Sequence, residues 1–141
     1  MMPDILHEVE IHTPPAKVYE AITQQQGLAS WWTANTKAKP EVGSVAEFGF
    51  DGGKFLIKME IAALEPNHKV VWKSRQGAPD WEGTQVTWEL TPSEHGTKVL
   101  FGHRNYGSTG GSFASVSYSW ANYLTSLKHY LETGKGSPNT Q

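Results

Sequence analysis

Residues 113–131 read FASVSYSWANYLTSLKHYL, and within them Phe113, Val116, Trp120, Tyr123, Leu124, Leu127, Tyr130 and Leu131 recur at three- and four-residue intervals. That spacing is the apolar stripe of an amphipathic helix, and a helix with such a stripe must cover it with another element. Gly134 is a natural stop for it, and the polar residues 136–141 are expected to fray. What precedes the helix supplies its partner. Thr97 to His103 alternates, with Val99, Phe101 and His103 on one parity, and Gln85 to Thr91 sets Val86, Trp88 and Leu90 against Gln85, Thr87 and Glu89. Alternation of period two is the mark of a strand with one face buried and the other wet.

Further upstream the same period continues. Lys54 to Leu64 carries Phe55, Ile57, Met59 and Ile61 on one face, Lys69 to Ser74 follows a Pro66-Asn67 turn, and Val45 to Phe50 precedes Asp51-Gly52-Gly53, a strong hairpin signal. Ile5 to His12 forms an opening strand, with Ile5, Val9 and Ile11 opposite Glu8, Glu10 and His12. Thr13-Pro14-Pro15 stops it, with Thr13 as an expected N-cap; Val18, Ala21 and Ile22 make a short helical stripe that Gly27 is expected to end, and Leu28 to Trp32 adds one further turn. The order is strand, two short helices, a run of hairpin-linked strands and one long helix. It predicts an α+β fold in which a curved antiparallel sheet of about six or seven strands wraps the terminal helix. Neither repeat nor linker interrupts it, so residues 1–134 are expected to form a single domain followed by a polar tail, 135–141.

Composition narrows the function classes. The 141 residues include no cysteine, which removes disulfides, thiolate nucleophiles and Cys-based zinc sites and suits the cytoplasm. Twelve basic and fourteen acidic residues are scattered, giving a net charge of −2 and no electropositive stripe for nucleic acid. No apolar run is long enough to span a membrane or to act as a signal peptide. The aromatic content stands out: six tryptophans, five tyrosines and five phenylalanines. Large inward residues can prop the sheet and helix apart, leaving an apolar cavity whose expected lining is Trp32, Phe55, Ile57, Met59, Trp72, Trp88, Phe101, His103, Trp120 and Tyr123. Of the Trp31-Trp32 pair, one is expected inside and one exposed as a contact surface.

The segments "HTPPAKVYEAIT" at 12–23, "LASWW" at 28–32, "LEPNHKVVWK" at 64–73, "VTWELTPSEHGTKVLFGH" at 86–103 and "WANYLTSLKHYLETG" at 120–134 together resemble the helix-grip SRPBCC (START/Bet v 1-like) superfamily. Within it they are similar to the C-terminal domain of the heat-shock-ninety ATPase activator. The resemblance covers nearly the whole chain and implies a deep cavity between sheet and C-terminal helix. Across the superfamily such cavities hold lipids, polyketides, plant hormones and other apolar ligands, and in some branches they catalyse reactions.

Three functions are therefore carried forward. The first is a binding domain for a small apolar or amphipathic, lipid-like or aromatic ligand. A chaperone-regulating interaction protein comes second, and third is a cavity enzyme with His103 as acid or base and Tyr106 or Asn105 as orienting groups. Catalytic signatures are lacking. The histidines have no metal-ligand spacing, no cofactor motif is present, Ser112, Ser115, Ser117 and Ser119 sit in no nucleophile elbow, and Glu60 and Glu89 are on outward parities. Gly107-Ser108-Thr109-Gly110-Gly111 could offer backbone N–H groups to an anion, or simply gate the cavity mouth. Monomer and homodimer, through a strand edge or the Trp pair, are both compatible with the sequence.

Overall fold

The computed structural model describes residues 2–141. The elements are β1 (Ile5–Ile11), α1 (Pro15–Thr23), α2 (Gln25–Trp31), β2 (Thr36–Lys37), β3 (Val45–Phe50), β4 (Phe55–Glu65), β5 (Lys69–Gln76), β6 (Gln85–Ser93), β7 (Gly96–Arg104) and α3 (Phe113–Thr133). All seven strands form one antiparallel sheet in the order β1-β7-β6-β5-β4-β3-β2. The six consecutive strands β2 to β7 are thus an antiparallel meander, and β1 reaches β7 from the other end of the chain, pairing Ile5 with His103 and Ile11 with Thr97.

The alternation read from the sequence decides the faces. Ile57, Met59 and Ile61 of β4, Val70 and Trp72 of β5, Val86, Trp88 and Leu90 of β6, and Val99, Phe101 and His103 of β7 are all buried. Their neighbours of opposite parity are mostly exposed or half-buried. The register of β4 against β5 slips at Lys58/Met59 and again at Ile61/Ala63. Such bulges bend a long strand and increase its twist, which curls this face of the sheet around a helix. That helix is α3, whose Trp120, Leu124 and Leu127 are buried and whose Phe113, Val116, Tyr123, Tyr130 and Leu131 pack at the margin of the same core.

Four local expectations are corrected. Thr13 does not cap α1: Pro14 holds the N-cap position without a side-chain bond, and the Thr13 carbonyl instead accepts a hydrogen bond from Thr97 Oγ1 at 2.8 Å. Gly27 does not end a helix. The break falls at Gln24, which is extended (φ −94°, ψ 144°), and Gly27 lies within α2, where a Cβ would meet Ala21 Cα at 2.7 Å. Its small size lets α2 press onto α1, an approach completed by Trp31 Nε1 donating to the Ala21 carbonyl at 2.8 Å.

The other two concern burial. Trp31 and Trp32 are both buried, so neither is a surface contact. The indoles of Trp31, Trp32 and Trp72 form a ladder, with Trp32 stacked 6.0 Å from Trp31 at 12° and 5.9 Å from Trp72 at 8°. Residues 135–141, expected to fray, are pinned over much of their length. Ser137 N donates to Ser126 Oγ (2.7 Å), Asn139 N donates to the Trp32 carbonyl (2.8 Å), and Ala34 N donates to the Asn139 carbonyl (2.9 Å). The segment reads as disposable because its contacts are backbone hydrogen bonds, to which hydropathy is blind.

Candidate functional site

Between α3 and the β3–β4 end of the sheet lies an apolar cavity of about 230 Å³, lined by Trp32, Phe50, Phe55, Ile57, Trp81, Val116, Ser119, Trp120 and Tyr123. Burial divides its lining. Trp32, Ile57, Trp81 and Trp120 are buried and make the floor. Phe50, Val116 and Tyr123 are half-buried, and Ser119 and Phe55, the latter 40% exposed, reach the surface and make the mouth. Among the described residues none that lines it is charged. A second depression, about 700 Å³, runs between α1, α2 and the end of α3 and includes Lys17, Glu20, Gln24, Gln26 and Ser30. It is larger, but a mostly polar, solvated groove offers little apolar surface to desolvate, so the smaller cavity is the better candidate.

Local sequence explains how the walls are placed. Val116, Ser119, Trp120 and Tyr123 follow the i, i+3, i+4, i+7 rule and so share one face of α3. Phe50 closes β3 on the parity of the buried Ala46 and Phe48. Trp81 comes from a short turn, Pro79–Trp81, between β5 and β6, and its ring lies over Gly77, where a Cβ would collide with Trp81 Cε3.

Five of the ten residues expected to line the cavity do line it: Trp32, Phe55, Ile57, Trp120 and Tyr123. The structure places Met59, Trp72, Trp88, Phe101 and His103 deeper, in the packed core beneath the floor, with essentially no exposed surface. There the rings contact one another, as in Trp88 against Phe101 at 4.8 Å and Phe101 against Trp120 at 4.6 Å. Phe50, Trp81, Val116 and Ser119 are the lining residues that the sequence reading did not single out.

A model of the family described as activator of Hsp90 ATPase homolog 1-like protein matches residues 12–132. The chain belongs to that family. Among solved structures, the Aha1 dimer from Colwellia psychrerythraea is 37% identical, with a TM-score of 0.88 over 96% of this chain and 100% of that one. MLL2253 from Mesorhizobium loti (24% identity, TM-score 0.80, 92% and 97% covered) has the same fold. DynU16, from the dynemicin biosynthetic locus, aligns with 94% of this chain and 48% of its own, at 25% identity and TM-score 0.80. No curated protein sequence matches at a significant level. The AHSA1-like family lies within the SRPBCC superfamily, so the resemblance read from the sequence holds.

Within this AHSA1-like fold His103 has a defined setting. The Trp120 indole N–H, which can only donate, points at His103 Nδ1 (3.1 Å), so Nδ1 accepts and the imidazole proton sits on Nε2. Nε2 in turn donates to Thr84 Oγ1 (2.9 Å), and the Thr84 hydroxyl donates to the Trp81 carbonyl (2.6 Å). Tyr106 places its hydroxyl 3.4 Å from Nδ1, and Trp81 stands edge-on to the ring at 4.8 Å. Burial pushes the imidazole down to about 4, opposed only in part by the negative charge of Asp80, and the same burial pushes the Tyr106 phenol up. The ring is therefore neutral at pH 7. It ties β7 to α3 and to the turn before β6 and presents no atom to the cavity. Asn105 is exposed and does not line the cavity; its backbone N–H donates to Asp4 Oδ1 at 2.9 Å.

The glycine-rich stretch before α3 is also accounted for. Asp80 accepts hydrogen bonds from Ser112 N (2.9 Å) and Ser112 Oγ (2.6 Å) at the N-cap of α3. These bonds hold its carboxyl below the usual carboxylate range. The start of the helix, the place expected for an external anion, is thus met by a carboxylate of the chain itself, as the helix dipole favours. Among the described residues no group of three or more His, Asp or Glu side chains is arranged to hold a metal, and no helix is long and apolar enough to cross a membrane.

Proposed function

We propose that the protein binds a small apolar or amphipathic molecule in the cavity between α3 and the sheet, as a cytoplasmic binding domain without metal or cofactor. The observation that carries this reading is an uncharged, largely aromatic cavity of about 230 Å³ with a buried floor and an open mouth. Exposed apolar surface gathered in a concavity is what a ligand desolvates with gain. Trp32, Trp81 and Trp120 at the floor supply the readout. A library of sterols, fatty acids, polyketides and aromatic acids, screened by tryptophan fluorescence and native mass spectrometry, should contain molecules that bind saturably at one per chain. Binding should be lost in Ser119→Trp, which plugs the mouth from an exposed position. Absence of any saturable ligand for the folded wild-type chain would remove the reading.

A second reading is favoured by the family and by the dimer described for the Colwellia relative. On it the chain self-associates and engages a chaperone ATPase. Light scattering coupled to size exclusion should then give twice the 15.6 kDa chain mass, and the host chaperone should be retained in a pull-down with altered ATP hydrolysis. A monomer that leaves the chaperone's ATPase rate unchanged counts against it.

A further inference from the structure

We infer that the cavity selects a neutral aromatic molecule of one or two fused rings and discriminates against acyl chains. This rests on the binding reading above and narrows it to a ligand class.

Size comes first. Ligand cavities for drug-sized molecules run to roughly 300–1,000 Å³, whereas an apolar cavity of about 150 Å³ is known to take benzene. At about 230 Å³ this cavity falls between them and matches a bicyclic ring, while a long chain would leave most of its methylenes outside. The walls come next. Trp32, Phe50, Phe55, Trp81, Trp120 and Tyr123 are all rings, and all but Trp81 already meet another of them in tilted or T-shaped pairs, such as Phe50 with Tyr123 at 6.4 Å and Trp32 with Trp120 at 5.0 Å. A flat aromatic guest continues that edge-to-face packing, whereas a flexible chain gains only from its area and loses rotamer freedom on entry.

Charge is the third observation. With no ammonium or guanidinium among the described lining residues, an entering carboxylate would lose its water without finding a counter-ion. The polar side-chain groups of the lining are uncharged: the Ser119 and Tyr123 hydroxyls on α3, where one hydroxyl or carbonyl of the guest can be met, and tryptophan indole N–H groups, of which that of Trp81 is buried without a partner. Burial holds the Tyr123 phenol above its ordinary value, so that it remains a donor.

The test is a calorimetric titration of the full chain with naphthalene, 2-naphthol, 2-naphthoate and decanoate, repeated on Ser119→Trp. Naphthalene and 2-naphthol should bind, with 2-naphthoate and decanoate each weaker by about tenfold or more, and Ser119→Trp should abolish binding. Decanoate binding as tightly as naphthalene, and lost in Ser119→Trp, would overturn the inference while leaving the binding reading intact. Silence from all four would overturn the inference, with the binding reading falling as well only if the wider library is also silent; ring binding that Ser119→Trp does not touch would overturn both. Should Ser119→Trp fail to fold, Phe55→Ala at the exposed mouth replaces it. There the inference expects naphthalene affinity to fall several-fold with decanoate unchanged, and an equal loss for both ligands would contradict it.

Discussion

Trp120→Ala is expected to cost about 5 kcal/mol, enough to unfold a domain whose total stability is of the usual order of about 5–15 kcal/mol. Two losses combine. The indole is 2% exposed and packs on Phe101 at 4.6 Å and Trp32 at 5.0 Å, so its removal leaves a core cavity, for which Trp-to-Ala changes typically cost about 3–5 kcal/mol. The same change leaves His103 Nδ1 without its indole donor inside the protein, adding about 1–3 kcal/mol. Trp120→Phe separates the two, since it keeps most of the ring volume and drops the N–H, and should cost about 1–2 kcal/mol. Urea unfolding followed by far-UV circular dichroism measures both. A loss under about 2 kcal/mol for the alanine variant would mean that α3 is not seated on the sheet through this residue.

The second large effect is on acid stability. His103 is fully buried and holds a pKa of about 4 against an ordinary 6.5. Above pH 6.5 the imidazole is neutral in folded and unfolded chains alike and the stability it confers is complete. Between pH 6.5 and 4 the unfolded chain takes up a proton that the folded one refuses, so stability falls as the pH falls; below 4 both are protonated and the loss levels off. The total is about 3 kcal/mol. Asp80 and Glu132, whose carboxyls are held below the usual range by Ser112 and Lys128, lose their contributions at lower pH still. Denaturant midpoints taken at half-unit steps from pH 7.5 to 4 should show the slope, and His103→Gln should flatten it. An unchanged slope in His103→Gln would assign the acid sensitivity to other groups.

Periodicity made the scaffold legible. The stripe of α3 and the parity of β4, β6 and β7 depend on burial that repeats along an element, and repetition is what a linear sequence records best. Depth along a strand is another matter. Ile57 and Met59 share a face, yet one lines the cavity and the other lies beneath its floor, because that outcome depends on where along β4 the overlying helix leaves a gap. Phe50 and Ser119 carried a usable signal, the first through its parity with Ala46 and Phe48 and the second through its helical spacing from Val116 and Tyr123. Trp81 carried none, since it comes from an aperiodic turn and is directed by contact with Gly77. The position of Gly27 shows the same limit. A glycine can end a helix or admit a neighbour, and only the Ala21 backbone against it decides which.

The near-parallel ladder of Trp31, Trp32 and Trp72 gives the molecule an optical signature of its own. Chromophores fixed in one mutual orientation couple their transitions, so the near-ultraviolet dichroism of the native chain reports the middle rung, which also touches the cavity. An occupant nudging Trp32 would alter that signal with the peptide bands unmoved, whereas a loosened interior would erase it while helix and strand content persisted. Occupancy and melting thus leave different spectral traces, without any label.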